Sequence, residues 1–360
     1  MIKISHNNYF LSNTDLFGKN LSVNVNKVVF IINNNNNNKQ RKNMNNFKKI
    51  GLSALAGSLA AVSVNAAELS VSGGAAMYVG TTNDNLTGYY AMGDSVTFAG
   101  SGTTDGGLDI SVSFELDGND ANNAGTNNVM DNRSITIGTE AMGTVTFSGH
   151  GGSSVVGGWD DKTPNAYEEV WDLTAEADDA VIDGASGDML LRYDSPSFSG
   201  VVVSASYQDS AAIGTYSDYG INIKPEAVDG LELAYAHGTI EDSASTEADH
   251  STMYAKYAFG SITVGYQTSE IDGSTADLTD ESTGMGITYA ITDDFTVGYG
   301  THDIDFGDQA LDQESTGFSA SYTMGGMSIS GHMNETDNVG GSAAVADDKK
   351  AYELELSFAF

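Results

Sequence analysis

The sequence predicts an all-β protein: a transmembrane, antiparallel, up-and-down β-barrel of about sixteen strands. Three observations predict it. Apolar residues recur at every second position through most of the chain, short and long connections alternate, and the last strand runs to a terminal Phe. Strict alternation gives a strand one apolar and one polar face. Short turns at one end, long loops at the other and an even strand number are the pattern of outer-membrane barrels.

Composition narrows the field first. The chain has 360 residues, 15 basic and 49 acidic, for a net charge of −34, with 42 Gly, 3 Pro and no Cys. Such a charge disfavours nucleic-acid phosphates, which need clustered Lys and Arg. The lack of Cys excludes a disulfide scaffold, a thiolate zinc site and a cysteine nucleophile. One long apolar run, near residues 50–64, does not make a polytopic helical membrane protein.

The first 66 residues read as leader rather than fold. Residues 33–38 are six Asn in a row, flanked by Lys27, Lys39, Arg41 and Lys42, a low-complexity stretch that cannot build a core. From Met44 the pattern changes. Asn45 to Lys49 is basic, Ile50 to Val64 is apolar, and Val64-Asn65-Ala66 resembles a cleavage site. We therefore read 44–66 as a signal peptide, 1–43 as an N-terminal extension from a start miscall, and 67–360 as the mature barrel. The alternative, a membrane anchor, falls short of the ~20 residues a span needs. Eight of the 15 basic residues and one acid lie in 1–66, so the remainder carries about −41.

Strands are expected near 68–80, 89–100, 107–116, 132–138, 143–149, 187–195, 200–208, 216–224, 229–239, 250–259, 261–270, 281–290, 294–303, 314–323, 326–335 and 350–360. In the third, Leu108, Ile110, Val112, Phe114 and Leu116 face one way, and Asp109, Ser111, Ser113 and Glu115 the other. The same phase recurs in Val201/Val203/Ala205/Tyr207, Ile262/Val264/Tyr266 and Phe295/Val297/Tyr299. A soluble sandwich would also alternate. The polar face stays polar through strand centres, which a water-filled lumen tolerates. Aromatics near strand ends, among them Tyr78, Tyr89, Tyr90, Tyr235, Tyr266 and Tyr322, suit interfacial girdles. The outward positions are nearly free of charge. The C-terminal strand presents Tyr352, Leu354, Leu356, Phe358 and Phe360 outward. A last strand ending in Phe is similar to the insertion signal read by the barrel assembly machinery.

With these features the chain resembles the general porins of Gram-negative bacteria, especially the alphaproteobacterial type. The resemblance is carried by the leader, the 143–149 strand GTVTFSG, the 191–200 hairpin LRYDSPSFSG and terminal Phe360, and it covers residues 67–360. It implies a homotrimer of barrels, each with its own pore, in which the loop after the fifth strand folds inward as a constriction. It also implies outer-membrane lipid and lipopolysaccharide as neighbours.

The longest connection lies at that place. Residues 150–186 carry Asp160, Asp161, Glu168, Glu169, Asp172, Glu176, Asp178, Asp179 and Asp183, a single basic residue, Lys162, and both Trp residues, Trp159 and Trp171. A connection this long is usually functional or disordered, and its aromatics argue for packing. We expect Trp159, Asp160, Asp161, Glu168, Glu169 and Asp172 to line the constriction; the alternative is a solvated surface loop. Porins of this kind oppose such a loop with wall cations. Parity offers Arg192, Lys224 and Lys256, a thin set that could equally serve as local salt-bridge partners. Excess carboxylate in a narrow site concentrates cations, so a cation-preferring diffusion channel is expected.

Two other classes compete. Trp159, Tyr167 and Trp171 could bind a sugar or amino acid in a substrate-selective channel. An acidic surface-layer or adhesive β-protein would show fixed-period repeats, and none is found. No phosphate-binding Gly loop, metal-spaced His set or G-x-S-x-G elbow is present, so neither an enzyme nor a cofactor is expected. Asp117 to Asn123 resembles an oxygen-ligand calcium site only loosely, without the terminal Glu. Loosely bound Ca or Mg is the most that this pattern implies.

Overall fold

The computed structural model describes residues 68–82, 87–117, 130–174, 184–187, 189–210, 214–241, 247–273, 279–307, 309–343 and 348–360. The leader 1–66, residues 118–123 of the loose calcium pattern, and Glu176, Asp178, Asp179 and Asp183 lie outside them.

Sixteen antiparallel strands close into a barrel. In chain order they begin with β1 (Glu68–Thr82), β2 (Thr87–Thr103), β3 (Asp109–Asp117), β4 (Met130–Thr139) and β5 (Gly143–His150). Two short strands, β6 (Gly152–Ser153) and β7 (Ser186–Gly187), pair with each other inside the long connection. The wall resumes with β8 (Leu190–Asp194), β9 (Val201–Ser210), β10 (Gly214–Ile223), β11 (Leu231–Glu241), β12 (Glu247–Phe259) and β13 (Ile262–Asp272). It ends with β14 (Thr279–Thr292), β15 (Phe295–Asp305), β16 (Gln313–Met324), β17 (Met327–Asp337) and β18 (Lys349–Ala359). Each wall strand pairs with its sequence neighbour, β5 pairs with β8, and β1 pairs with β18 to close the ring. Closure leaves no unpaired edge, which a lipid environment requires.

The expected strand order and number are those observed. The differences are local. The strand expected at 187–195 shortens to β8, because Met189 takes a positive φ of 58° and Ser186–Gly187 is diverted into the β6/β7 pair. The loop expected at Ile240 to Asp249 is shorter at both ends, since β11 and β12 continue pairing up to Glu241 and Glu247; residues 242–246 lie outside the described residues. Tight turns use glycine where the backbone must turn left-handed, as at Gly260 (φ 58°) and Gly325 (φ 64°).

The closing seam engages the last residue. The Phe360 N–H donates to the Gly73 carbonyl at 2.9 Å, and the Gly73 N–H donates to the Phe360 carbonyl at 3.1 Å. Tyr352, Leu354, Phe358 and Phe360 are exposed on the barrel exterior, with Leu356 on the same face by alternation. Exposed Val, Ile, Leu, Met, Phe and Tyr side chains cover the rest of that exterior, as the hydrocarbon region demands. Among the described residues no helix is long and apolar enough to cross a membrane; the strands do the crossing.

Two expectations about faces are corrected. Tyr78 and Tyr89 point into the lumen, not to a girdle: the Tyr89 hydroxyl donates to Glu353, and Tyr78 stands opposite Ala91 and Glu355 with its ring over Gly93 on the inner face. They occupy the polar phase of β1 and β2, where a tyrosine hydroxyl finds carboxylates. Nor is the exterior nearly free of charge. Toward the long-loop end, Asp249 and Asp272 sit opposite each other in register, as do Glu270 and Glu281, and Asp303 and Glu314. The strands run past the apolar band, so their outer phase there meets a polar layer. Asp94 also shares the outward phase, opposite Ala75.

Candidate functional site

The connection from β5 to β8 does not extend away from the barrel. Its described parts lie across the lumen, and its order along the chain follows the order of the wall strands. Near its start the Val156 N–H donates to Asp218 Oδ2 of β10 at 2.8 Å. A short 3-10 turn, Gly157–Trp159, follows. Trp159 is 8% exposed and packs with Val155, Val156, Ala234, Ala236 and Ile304. It meets the Tyr254 ring of β12 edge-on at 5.9 Å.

Next comes Gln267 of β13. Its Nε2 donates to the carbonyls of Trp159 at 2.6 Å and Asp160 at 3.0 Å, and its Oε1 accepts the Lys162 N–H at 2.6 Å. Further on, the Ala166 N–H donates to Ser319 Oγ of β16 at 3.0 Å. Asn334 of β17 donates to the carbonyls of Glu169 (2.9 Å) and Asp172 (3.0 Å). Trp171 lies over the His302 ring of β15 at 4.1 Å. The loop is thus bonded to the wall through its own backbone groups, each met by a wall side chain.

The acidic residues divide into two sets. Asp161 serves the loop itself: it accepts the Thr163 N–H (2.9 Å) and hydroxyl (2.8 Å) and Asn165 Nδ2 (3.2 Å). Asp160 Oδ1 accepts the Asp161 N–H at 2.8 Å. Glu168, Glu169 and Asp172 form the second set, facing β18. There the Tyr167 hydroxyl lies 2.8 Å from both Glu353 Oε1 and Glu355 Oε2, and Asp172 lies 3.6 Å from His332 Nε2. Burial first, then repulsion from Glu169 and Asp172, raises the Glu168 carboxyl to about 7. Burial, with Glu353 and Glu169 nearby, raises Asp172 to about 6. Burial raises Asp161 to about 6.

The wall cations are already engaged. Arg192 points inward and forks onto Asp194, with Nη2–Oδ1 at 3.1 Å. Its Nη1 donates to the carbonyls of Ser153 (3.4 Å) and Ser154 (3.1 Å), which clamps the base of the loop. Lys256 and Lys224 share one carboxylate, Glu232, at 3.7 and 3.5 Å. Lys224 is not a strand residue as alternation implied. It follows the end of β10, in the turn, and is 62% exposed. Arg192 is balanced by Asp194, and the two lysines together retain one uncompensated positive charge. Against that stand the loop carboxylates with Glu353 and Glu355.

Sequence reasoning found the loop, its place and its acids. It missed Asp218, Gln267, Ser319 and Asn334 as anchors, and Glu353 and Glu355 as the acidic wall. Their signal was inward phase in a strand, which they share with many inert Ser and Thr. Among the described residues no group of three or more His, Asp or Glu is arranged to hold a metal ion.

A sequence profile described as Gram-negative porin matches residues 51–354. The chain belongs to the Gram-negative porin family. No curated relative matches it. Solved structures share the fold. OmpT, an outer membrane protein of Vibrio cholerae, is 12% identical with a TM-score of 0.62, covering 83% of this chain and 99% of that one. An anion-selective porin from Comamonas acidovorans is 14% identical, TM-score 0.59, covering 82% and 100%. A mutant of the Rh. blastica porin is 16% identical, TM-score 0.59, covering 81% and 100%. This porin is therefore a β-barrel of the outer membrane, and family and fold are those of a channel.

Proposed function

We propose that this porin is a passive diffusion channel for ions and small hydrophilic solutes, with a preference for cations, working as a homotrimer without a catalytic step. The observation that carries the preference is the meeting of Glu168, Glu169 and Asp172 on the loop with Glu353 and Glu355 on β18, while Arg192 is balanced by Asp194 and the two lysines sharing Glu232 leave a single positive charge on the wall. Carboxylates on both sides of a low-dielectric passage concentrate cations and repel anions. The anion-selective porin from Comamonas acidovorans shares the fold, so charge preference follows side chains rather than architecture. A trimer form of the Vibrio cholerae OmpT structure supports the assembly proposed.

The remaining parts of the reading are export by the 44–66 leader, insertion through the assembly machinery acting on the Phe360 strand, and contact with lipopolysaccharide. Ca or Mg is proposed only as a loose bridge between outer carboxylates and lipid phosphates. The reversal potential of the purified protein in a planar bilayer under a salt gradient tests the preference; an anion-selective potential would overturn it. The substrate-selective alternative needs free aromatic rings. Trp159 is turned into the wall, and Tyr167 and Trp171 are engaged with Glu353, Glu355 and His302, which favours the unselective reading. Liposome swelling with a solute panel separates the two.

A further inference from the structure

Between the side chains that anchor the loop, six wall positions beneath it are glycines. A Cβ added to Gly220 of β10 would sit 2.7 Å from both Trp159 and Val155. One on Gly286 of β14 would sit 2.6 Å from the Pro164 carbonyl oxygen, and one on Gly265 of β13 would overlap Pro164 Cδ. One on Gly298 of β15 would sit 2.7 Å from Ser319 Oγ of the wall and 3.0 Å from the Ala166 nitrogen of the loop. On Gly300 it would meet Val170 Cγ1 at 2.8 Å; on Gly317 of β16 it would meet the Asn334 side chain of the wall first and then Val170 Cα at 3.2 Å. All six are inward positions in strand interiors, and five lie next to an outward aromatic residue: Tyr219, Tyr266, Tyr299 (between Gly298 and Gly300) and Phe318. Glycine inside a strand weakens it and marks a place where another backbone approaches closely. Here one stretch of loop, Val155 to Val170, occupies all six places.

We propose that these six glycines are positioning residues that set the width of the pore. They form a flush track on β10 and β13–β16 in which the loop lies against the wall backbone, while Tyr167 reaches from the loop to Glu353 and Glu355 of β18. The track acts only through the loop and touches no solute. A methyl group on the track lifts the loop off the wall into the lumen and narrows the passage; Gly265 and Gly286 face Pro164, and Gly300 and Gly317 face Val170. The proposal rests on the channel reading and adds what determines its size.

The pairing gives the test. Gly265→Ala lowers single-channel conductance in planar bilayers by tens of per cent, while the boiled and unboiled protein still migrate differently on a gel, as a folded barrel does. Pro164→Ala removes the very atoms that the new methyl meets, so Pro164→Ala/Gly265→Ala returns conductance to the Pro164→Ala level. The pair Gly300→Ala and Val170→Ala repeats the experiment at the next contact. Conductance unchanged in folded Gly265→Ala and Gly300→Ala would overturn the proposal. So would a loss that the loop substitutions leave uncorrected, or barrels that fail to fold with or without them, since the glycines would then serve the strands alone. A wild-type protein without conductance would instead overturn the channel reading.

Discussion

Gln267 joins two successive stretches of the loop to β13, and its removal tests whether the loop docks as one unit. The side chain is 4% exposed. It accepts the Lys162 N–H and donates to the carbonyls of Trp159 and Asp160 and to Thr252 Oγ1. Gln267→Ala deletes these bonds and leaves the Lys162 N–H and the Trp159 carbonyl without a partner. A net buried hydrogen bond contributes about 1 kcal/mol, and an orphaned buried group costs about 1–3 kcal/mol. Water entering the vacated space recovers part of this, so docking weakens by roughly 2–4 kcal/mol. The open population of the loop then rises by about 30- to 1,000-fold. Hydrogen exchange read by mass spectrometry checks this at amides that keep their own acceptors: Val156, bonded to Asp218, and Ala166, bonded to Ser319. Faster exchange at both, ten residues apart in the chain, is the expected result. Faster exchange confined to residues 159–162 would refute docking as one unit. Unchanged exchange everywhere would refute the energetic argument for Gln267 itself.

Three further outcomes follow from the same geometry. Cation preference rises between about pH 5 and pH 8, because Glu168, Asp161 and Asp172 ionise near 7, 6 and 6 instead of below 5; reversal potentials across that range read it. These folded-state values are raised, so the sign for docking is opposite: the docked loop binds more protons than a free one, and docking strengthens as pH falls through them. Glu232→Gln removes the carboxylate shared by Lys224 and Lys256 and adds one positive charge to the wall, so the reversal potential moves toward the anion value. Deleting Phe360 removes both backbone bonds to Gly73 at the closing seam, and the yield of heat-modifiable barrel in an assembly assay drops.

How far the sequence was legible depends on the kind of signal. Strands were legible because membrane crossing enforces a period of two, and a slip of one residue would put a whole strand face in the wrong solvent. The boundaries at Glu241 and Glu247 were not, because there the strands leave the apolar band and keep pairing in a polar layer, where hydropathy carries no contrast. The loop was legible from its length and its Trp and acid content. Its anchors were not: Gln267 and Asn334 look like any other inward polar residue until the fold brings residues 108 and 165 positions away onto them. Arg192 was correctly phased inward, yet only the structure shows it held by Asp194 and by the loop base.

By itself the sequence determined the barrel, a strand number of about sixteen, the site of the long acidic loop and the outward face of the closing strand, while closure of the ring fixed the number at sixteen. Each follows from local periodicity or from lengths measured along the chain. Tertiary structure alone decided which carboxylates face one another, which cations are neutralised, and where the loop rests. Those are matters of which strands the loop crosses. The glycines show the division best: along the chain they alternate with aromatics as if they were gaps in a polar face, and in the barrel they become the surface on which the loop lies.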